Sequence, residues 1–221
     1  MPLEGIIERY RRHLPVSDRT PVVTLGGVEM DLSGAAEGLQ KTFKFTHVAE
    51  KGKDAEGEKA VAITLEDAAG NKAAGLAGGT VTFDFTPPVV SVVSVTPGLG
   101  KVGTTITATF AVTDASGLTE DPKVAAGAMA FSKDASSAGE TYVYTRTLGV
   151  IDPAGVQTVT VDLTDKAGNT TAKAFVGTFT ADFNAPGLVG AVTVGKAYVK
   201  AGDVETVSFT ADEKLGPDPE V

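Results

Sequence analysis

The sequence contains no cysteine, no tryptophan and only two histidines, and aromatic residues make up 6% of it. Without cysteine there is no disulfide, no thiolate nucleophile and no thiolate metal site. His13 and His47 stand far apart with no metal-ligating neighbours in sequence, which falls short of the three or four ligands zinc requires. Nor is there an excess of positive charge: 19 Lys and Arg against 28 Asp and Glu leave a net charge of −9. That balance argues against nucleic acid, because phosphate contact needs a basic face, and against anionic membrane surfaces. No apolar run reaches the roughly 18 residues of a membrane span, so no membrane insertion is expected. The first residues have no apolar stretch of the secretory type, and no signal is expected there. There is no G-x-S-x-G elbow and no Walker loop. Neighbouring carboxylates such as Glu66–Asp67 and Asp212–Glu213 fall on opposite faces of a strand and make poor acid–base pairs. No catalytic or cofactor-binding residue is therefore assigned, and the chain is expected not to be an enzyme.

What is present points to strands. Apolar residues form 42% of the chain and glycine contributes 26 residues, enough for a core and for many tight turns. Only the start reads otherwise. In "LEGIIERYRRHL", Leu3, Ile6, Ile7, Tyr10 and Leu14 recur with helical spacing until Pro15 ends the pattern, which predicts a helical leader over residues 1–15. Beyond Val22 the period drops to two. "VAITL" sets Val61, Ile63 and Leu65 on one face, "TTITATFAV" sets Ile106, Ala108, Phe110 and Val112, and "VQTVTVDL" sets Val159, Val161 and Leu163. Short alternating strands parted by Gly, Pro, Asn and Asp predict an all-β, antiparallel immunoglobulin-like β-sandwich.

The pattern also repeats. "LEDAAGNKAA" returns as "LTDKAGNTTA", and "FDFTPP" returns as "ADFNAP". Asp67 and Asp165, Asn71 and Asn169, and Asp84 and Asp182 each stand 98 positions apart. Residues 87–185 read as one complete unit of about seven strands, the size of an immunoglobulin-like domain. Residues 16–86 match only the late strands of that unit, with Phe43 and Phe45 in the slots of Tyr142 and Tyr144. Residues 186–221 match only the early strands, with Gly202 answering Gly103 and Phe209 answering Phe110. Each partial repeat leaves sheet edges unpaired, and the two are complementary. The expected partners are therefore neighbouring repeats or other copies of the chain.

The repeated words read first as backbone chemistry. In "DxAGN" the glycine supplies positive φ, the asparagine tolerates left-handed geometry and the aspartate accepts from amides two residues on. In "FDFTPP" the prolines end a ladder and stiffen the exit. The competing reading is Ca²⁺, with Asp84 and Asp182 as strand-end candidates and Asp67 and Asp165 as turn candidates. Each sequence copy shows fewer oxygens than the six to eight such an ion takes, so no metal site is assigned from sequence. The charged stretch "EKGKDAEGEK" (50–59) reads as a solvated hairpin tip, and both histidines as surface residues.

The stretches "TPPVVSVVSVTP", "KVGTTITATFAVTD", "LTDKAGNTTA" and "FDFTPP" together resemble the bacterial immunoglobulin-like repeats of large surface proteins and adhesins, over residues 21–221. The resemblance implies a structural or adhesive module at a cell surface or outside the cell, with a Ca²⁺- or carbohydrate-binding module as the alternative. Separately, "GIIERYRRHLPVSDRTPVVTLG" (5–26) resembles the opening of threonine synthase, a pyridoxal-phosphate lyase. It implies a misjoined N-terminal remnant, since the cofactor lysine and phosphate loop of that family have no counterpart here.

Overall fold

In the computed structural model, residues 21–33 and 42–216 are described; the predicted leader helix over residues 1–15 lies outside them. No helix occurs among the described residues, and none is long and apolar enough to cross a membrane. The chain is all-β and its sheets are built mainly of antiparallel pairs. By contacts it divides into two compact units. One comprises Met1–Ser91, Val112–Lys123 and Asp162–Ala174; the other comprises Val92–Ala111, Val124–Val161 and Phe175–Val221.

The strands in order are β1 (Val22–Leu25), β2 (Val28–Glu29), β3 (Asp31–Leu32), β4 (Phe45–Thr46), β5 (Gly57–Glu66), β6 (Lys72–Phe83), β7 (Val89–Thr96), β8 (Leu99–Gly100) and β9 (Thr105–Thr113). Then come β10 (Lys123–Ala126), β11 (Met129–Ala130), β12 (Ser132–Lys133), β13 (Thr141–Thr147), β14 (Gly155–Thr164), β15 (Thr170–Ala181), β16 (Thr193–Val194) and β17 (Val207–Ser208).

One five-stranded sheet runs β11-β10-β14-β15-β8, with β8 parallel to β15; a four-stranded sheet runs β12-β13-β9-β7. Period-two alternation buries one face of each. On β9, Ile106, Ala108 and Phe110 are fully buried, and on β14 so are Val159 and Val161. Phe110 stacks on Tyr142 and Tyr144 of β13, with ring centroids 5.7 and 5.9 Å away. The two sheets touch where glycines allow it. A Cβ on Gly177 of β15 would stand 2.6 Å from Val95 of β7, and one on Gly100 of β8 would stand 3.2 Å from Ile106 of β9. This is an antiparallel β-sandwich.

The first unit carries a four-stranded sheet, β2-β1-β5-β6, and the ribbon β3-β4. That order repeats the sequence β11-β10-β14-β15, and β3-β4 repeats β12-β13. The ribbon β16-β17 in turn repeats the pairing of β7 with β9. The strand orders β2-β1-β5-β6 and β11-β10-β14-β15 thus run alike.

Of residues 5–26, those described, 21–26, include β1, which pairs antiparallel with β2 and β5.

Candidate cation-binding site

The site begins with two turns and a strand exit. The hairpin between β14 and β15 is closed by "DKAGN". Gly168 takes φ +92°, a conformation open to glycine at little cost. The reversal lets Asp165 Oδ1 accept the Asn169 amide at 2.8 Å and Oδ2 accept Asn169 Nδ2 at 2.8 Å. The asparagine therefore acts as a donor to the aspartate, and the left-handed position falls to the glycine. The copy between β5 and β6 is built alike: Gly70 has φ +87°, and Asp67 accepts Asn71 N at 2.8 Å and Asn71 Nδ2 at 2.7 Å.

The second turn follows β9. Asp114 Oδ1 gathers three donors: Ser116 N at 3.0 Å, Ser116 Oγ at 3.0 Å and Gly117 N at 2.7 Å. Lys166 N donates to Gly117 O at 2.9 Å and Leu118 bridges to Asp165, which ties this turn to the hairpin.

The third contributor is the strand exit after β6. Thr86 N donates to Asp84 Oδ1 at 3.1 Å, and the Asp84 carbonyl accepts Asn169 Nδ2 at 3.0 Å. The charged loop 50–59 holds this exit. Glu56 Oε1 accepts Phe85 N at 3.1 Å and Thr86 Oγ1 at 2.7 Å, while Lys51 Nζ donates to Phe85 O at 3.0 Å. The loop expected to be a solvated tip is exposed, yet it anchors the segment that positions Asp84.

The outcome is a triad. One carboxylate oxygen from each of Asp84, Asp114 and Asp165 lies within 4.8 Å of the others. Asp165 is 1% exposed and Asp84 7%, while Asp114 is half-buried. Two unit charges 4.8 Å apart repel by about 3.5 kcal/mol at an effective dielectric near 20. None of the three forms an ion pair with a described residue. Amide and hydroxyl donors supply part of the compensation. Ser116, close by, and the Thr86 amide lower the Asp84 carboxyl against the opposing effect of burial. Yet the hydrogen bond of Ser116 Oγ goes to Asp114, and Asp84 Oδ2 is buried with no hydrogen-bond partner. A buried acceptor left unmade is costly. Oxygens ligating one calcium ion at about 2.4 Å stand no more than about 4.8 Å apart, so the three carboxylates are close enough together to share such an ion.

Of the four aspartates singled out in sequence, Asp84 and Asp165 meet here. Asp67 lies in its own exposed turn, bound to Asn71, and the amide bonds of that turn hold its carboxyl low. Asp182 accepts Asn184 N at 3.1 Å and lines a separate recess with Glu213. Sequence reasoning missed Asp114. Its signal was the local pattern Asp-x-Ser-Gly, which marks an aspartate-led turn. His47 is less exposed than expected: it pairs with Asp54 at 3.2 Å and stacks on Phe83 at 5.9 Å.

Comparison with known proteins adds little. No protein-family model and no curated protein matches the chain. Among solved structures a GspB Siglec domain is similar at 22% identity with a TM-score of 0.34, covering 48% of this chain and 61% of that one. The chain thus spans less than two thirds of that domain, and so low a score does not separate shared topology from shared strand content.

Proposed function

We propose that this chain is a non-enzymatic, load-bearing repeat module of the immunoglobulin-like kind used in bacterial surface and adhesive proteins, and that Ca²⁺ stiffens it at Asp84, Asp114 and Asp165. The mechanical reading rests on the repeated strand order, which is what a series of beads requires. One observation carries the cation reading: three carboxylates from two turns and a strand exit converge, and one presents a buried oxygen with no donor.

The chemistry follows from position. A cation there would cancel the mutual repulsion and accept the free oxygen of Asp84. Because Asp84 precedes Thr86-Pro87-Pro88, ligation would fix the direction in which the chain leaves β6. Waters and backbone carbonyls would complete the six to eight ligands.

The test is calcium titration of the full chain by calorimetry, paired with thermal unfolding. At calcium a hundredfold above Kd, binding to the native state adds about 2.7 kcal/mol, or about 5–10 °C in Tm for a chain of this size. Chelator should reverse the shift, and Asp84→Asn should abolish it. A heat-free titration with an unchanged Tm at about 10 mM calcium, far above the range of extracellular modules, removes the cation from the proposal and leaves the mechanical module.

A further inference from the structure

The first unit exposes an apolar surface whose counterpart elsewhere in the same chain is buried. Val159, Val161 and Leu163 of β14 are 0%, 0% and 3% exposed. Their equivalents 98 positions earlier, Val61, Ile63 and Leu65, are half-buried, half-buried and 42% exposed. Val81 is 43% exposed where Phe179 is 2%. An open groove of about 460 Å³ runs along this face, lined by Val23, Met30, Phe43, Phe45, Val61 and Ile63 among others. What covers the equivalent face is visible in the sandwich itself: the sheet containing β9 and β7, with β9 paired to β13. Among the described residues, the ribbon β3-β4, which corresponds to β12-β13, has no further strand in the place that β9 takes beside β13.

A second version of β7 and β9 lies late in the chain. The ribbon β16-β17 corresponds to β7 and β9, and its apolar residues are open. Val194, Val207 and Phe209 are 60%, 58% and 50% exposed, while Ala108 and Phe110, the equivalents of Val207 and Phe209, are fully buried.

We propose that a second copy of this chain covers the groove, β17 of one molecule adding antiparallel to β4 of the next. The register is dictated by the sandwich, where Tyr142 faces Phe110, Val143 faces Thr109 and Tyr144 faces Ala108. Carried over by 99 positions each way, Phe43 faces Phe209, Lys44 faces Ser208 and Phe45 faces Val207. Phe43–Phe209 then reproduces the Phe110–Tyr142 stack. The two surfaces differ, so the contact is heterologous and propagates rather than closing at a dimer. Strand addition supplies backbone hydrogen bonds, and the buried apolar residues supply the driving force.

The chain contains no cysteine, so introduced thiols report the register cleanly. Lys44 and Ser208 are exposed, and their substitution leaves the apolar face intact. Lys44→Cys and Ser208→Cys chains are mixed and oxidised, and a mixture of Lys44→Cys with Glu205→Cys serves as the off-register control. Three residues of slippage separate that control pair by about 10 Å, beyond disulfide reach. The expected result is a mixed disulfide, identified by mass, in about tenfold higher yield than the control. For the unmodified chain, the sedimentation coefficient should climb steadily from about 1 to about 200 µM without a plateau at dimer. A constant coefficient over that range, or equal cross-linking in and out of register, overturns the proposal.

Discussion

At the scale of single residues, the chain uses aspartate as a turn-building acceptor, and a carboxyl that folding holds low stabilises the fold while it stays ionised. Asp152 is the clearest case. It is 8% exposed and accepts Gly149 N at 2.8 Å and Arg146 Nη2 at 2.6 Å. The Gly149 amide, and then Arg146, hold its carboxyl below the ordinary value of 3.8, against desolvation. A carboxyl lowered on folding stabilises fully above its unfolded value and ceases to do so as pH falls through the lower folded value. Stability should therefore hold down to about pH 4 and decline below it. Asp152→Asn should cost about 1–3 kcal/mol at neutral pH, a deficit that narrows in acid as the parent loses its own charge. Urea unfolding at pH 7 and pH 3 measures both; equal deficits would show the charge to be irrelevant. The repeat singled out Asp84 and Asp165 but equally Asp67 and Asp182, which lie apart from them. Asp114 was not legible, because its nearness to Asp84 and Asp165 depends on how the turn after β9 meets the hairpin after β14, and strand periodicity carries no such information.

At the scale of elements, alternation foretold β9 and β14, since a strand buried on one face must alternate. It foretold β5 less well. The residues of β5 alternate as those of β14 do, but its burial pattern is nearly flat, and among the described residues no second sheet covers it. Alternation encodes the face a strand would bury and is silent on whether that face is covered. Nor did it indicate that Val92 takes φ +49°, since a β-branched residue disfavours that region. Turn chemistry was read correctly at Gly70 and Gly168 and incorrectly at the asparagines. Gly168→Ala isolates the conformational term. Its φ is +92°, and an added Cβ would meet nothing within 4 Å, so no clash confuses the result. The expected loss is about 1–2 kcal/mol in denaturant unfolding; on the proposed cation site, calcium binding should weaken too, because the same turn presents Asp165. Retention of full stability would mean that the hairpin can close through another turn geometry.

At the scale of the whole molecule, the repeat creates a natural pair of experiments. Phe110 and Phe209 occupy equivalent places in successive repeats, but Phe110 is fully buried and Phe209 is 50% exposed. If burial alone sets the value of an aromatic side chain, Phe110→Ala should cost about 3–5 kcal/mol. Phe209→Ala in dilute protein should stay within about 0.5 kcal/mol, as surface changes do. Concentration then separates the two. For Phe110 the deficit is a property of one chain and should not change between about 1 and about 200 µM. On the proposed pairing, the deficit for Phe209 should grow with concentration, because association would stabilise the native parent by mass action and the variant would lack the ring proposed to seat on Phe43. Urea midpoints of parent and both variants at the two concentrations decide the matter. A deficit for Phe209→Ala that is large already at the lower concentration would mean that its ring is covered within a single chain, and the β16-β17 ribbon would then have its partner without a second copy.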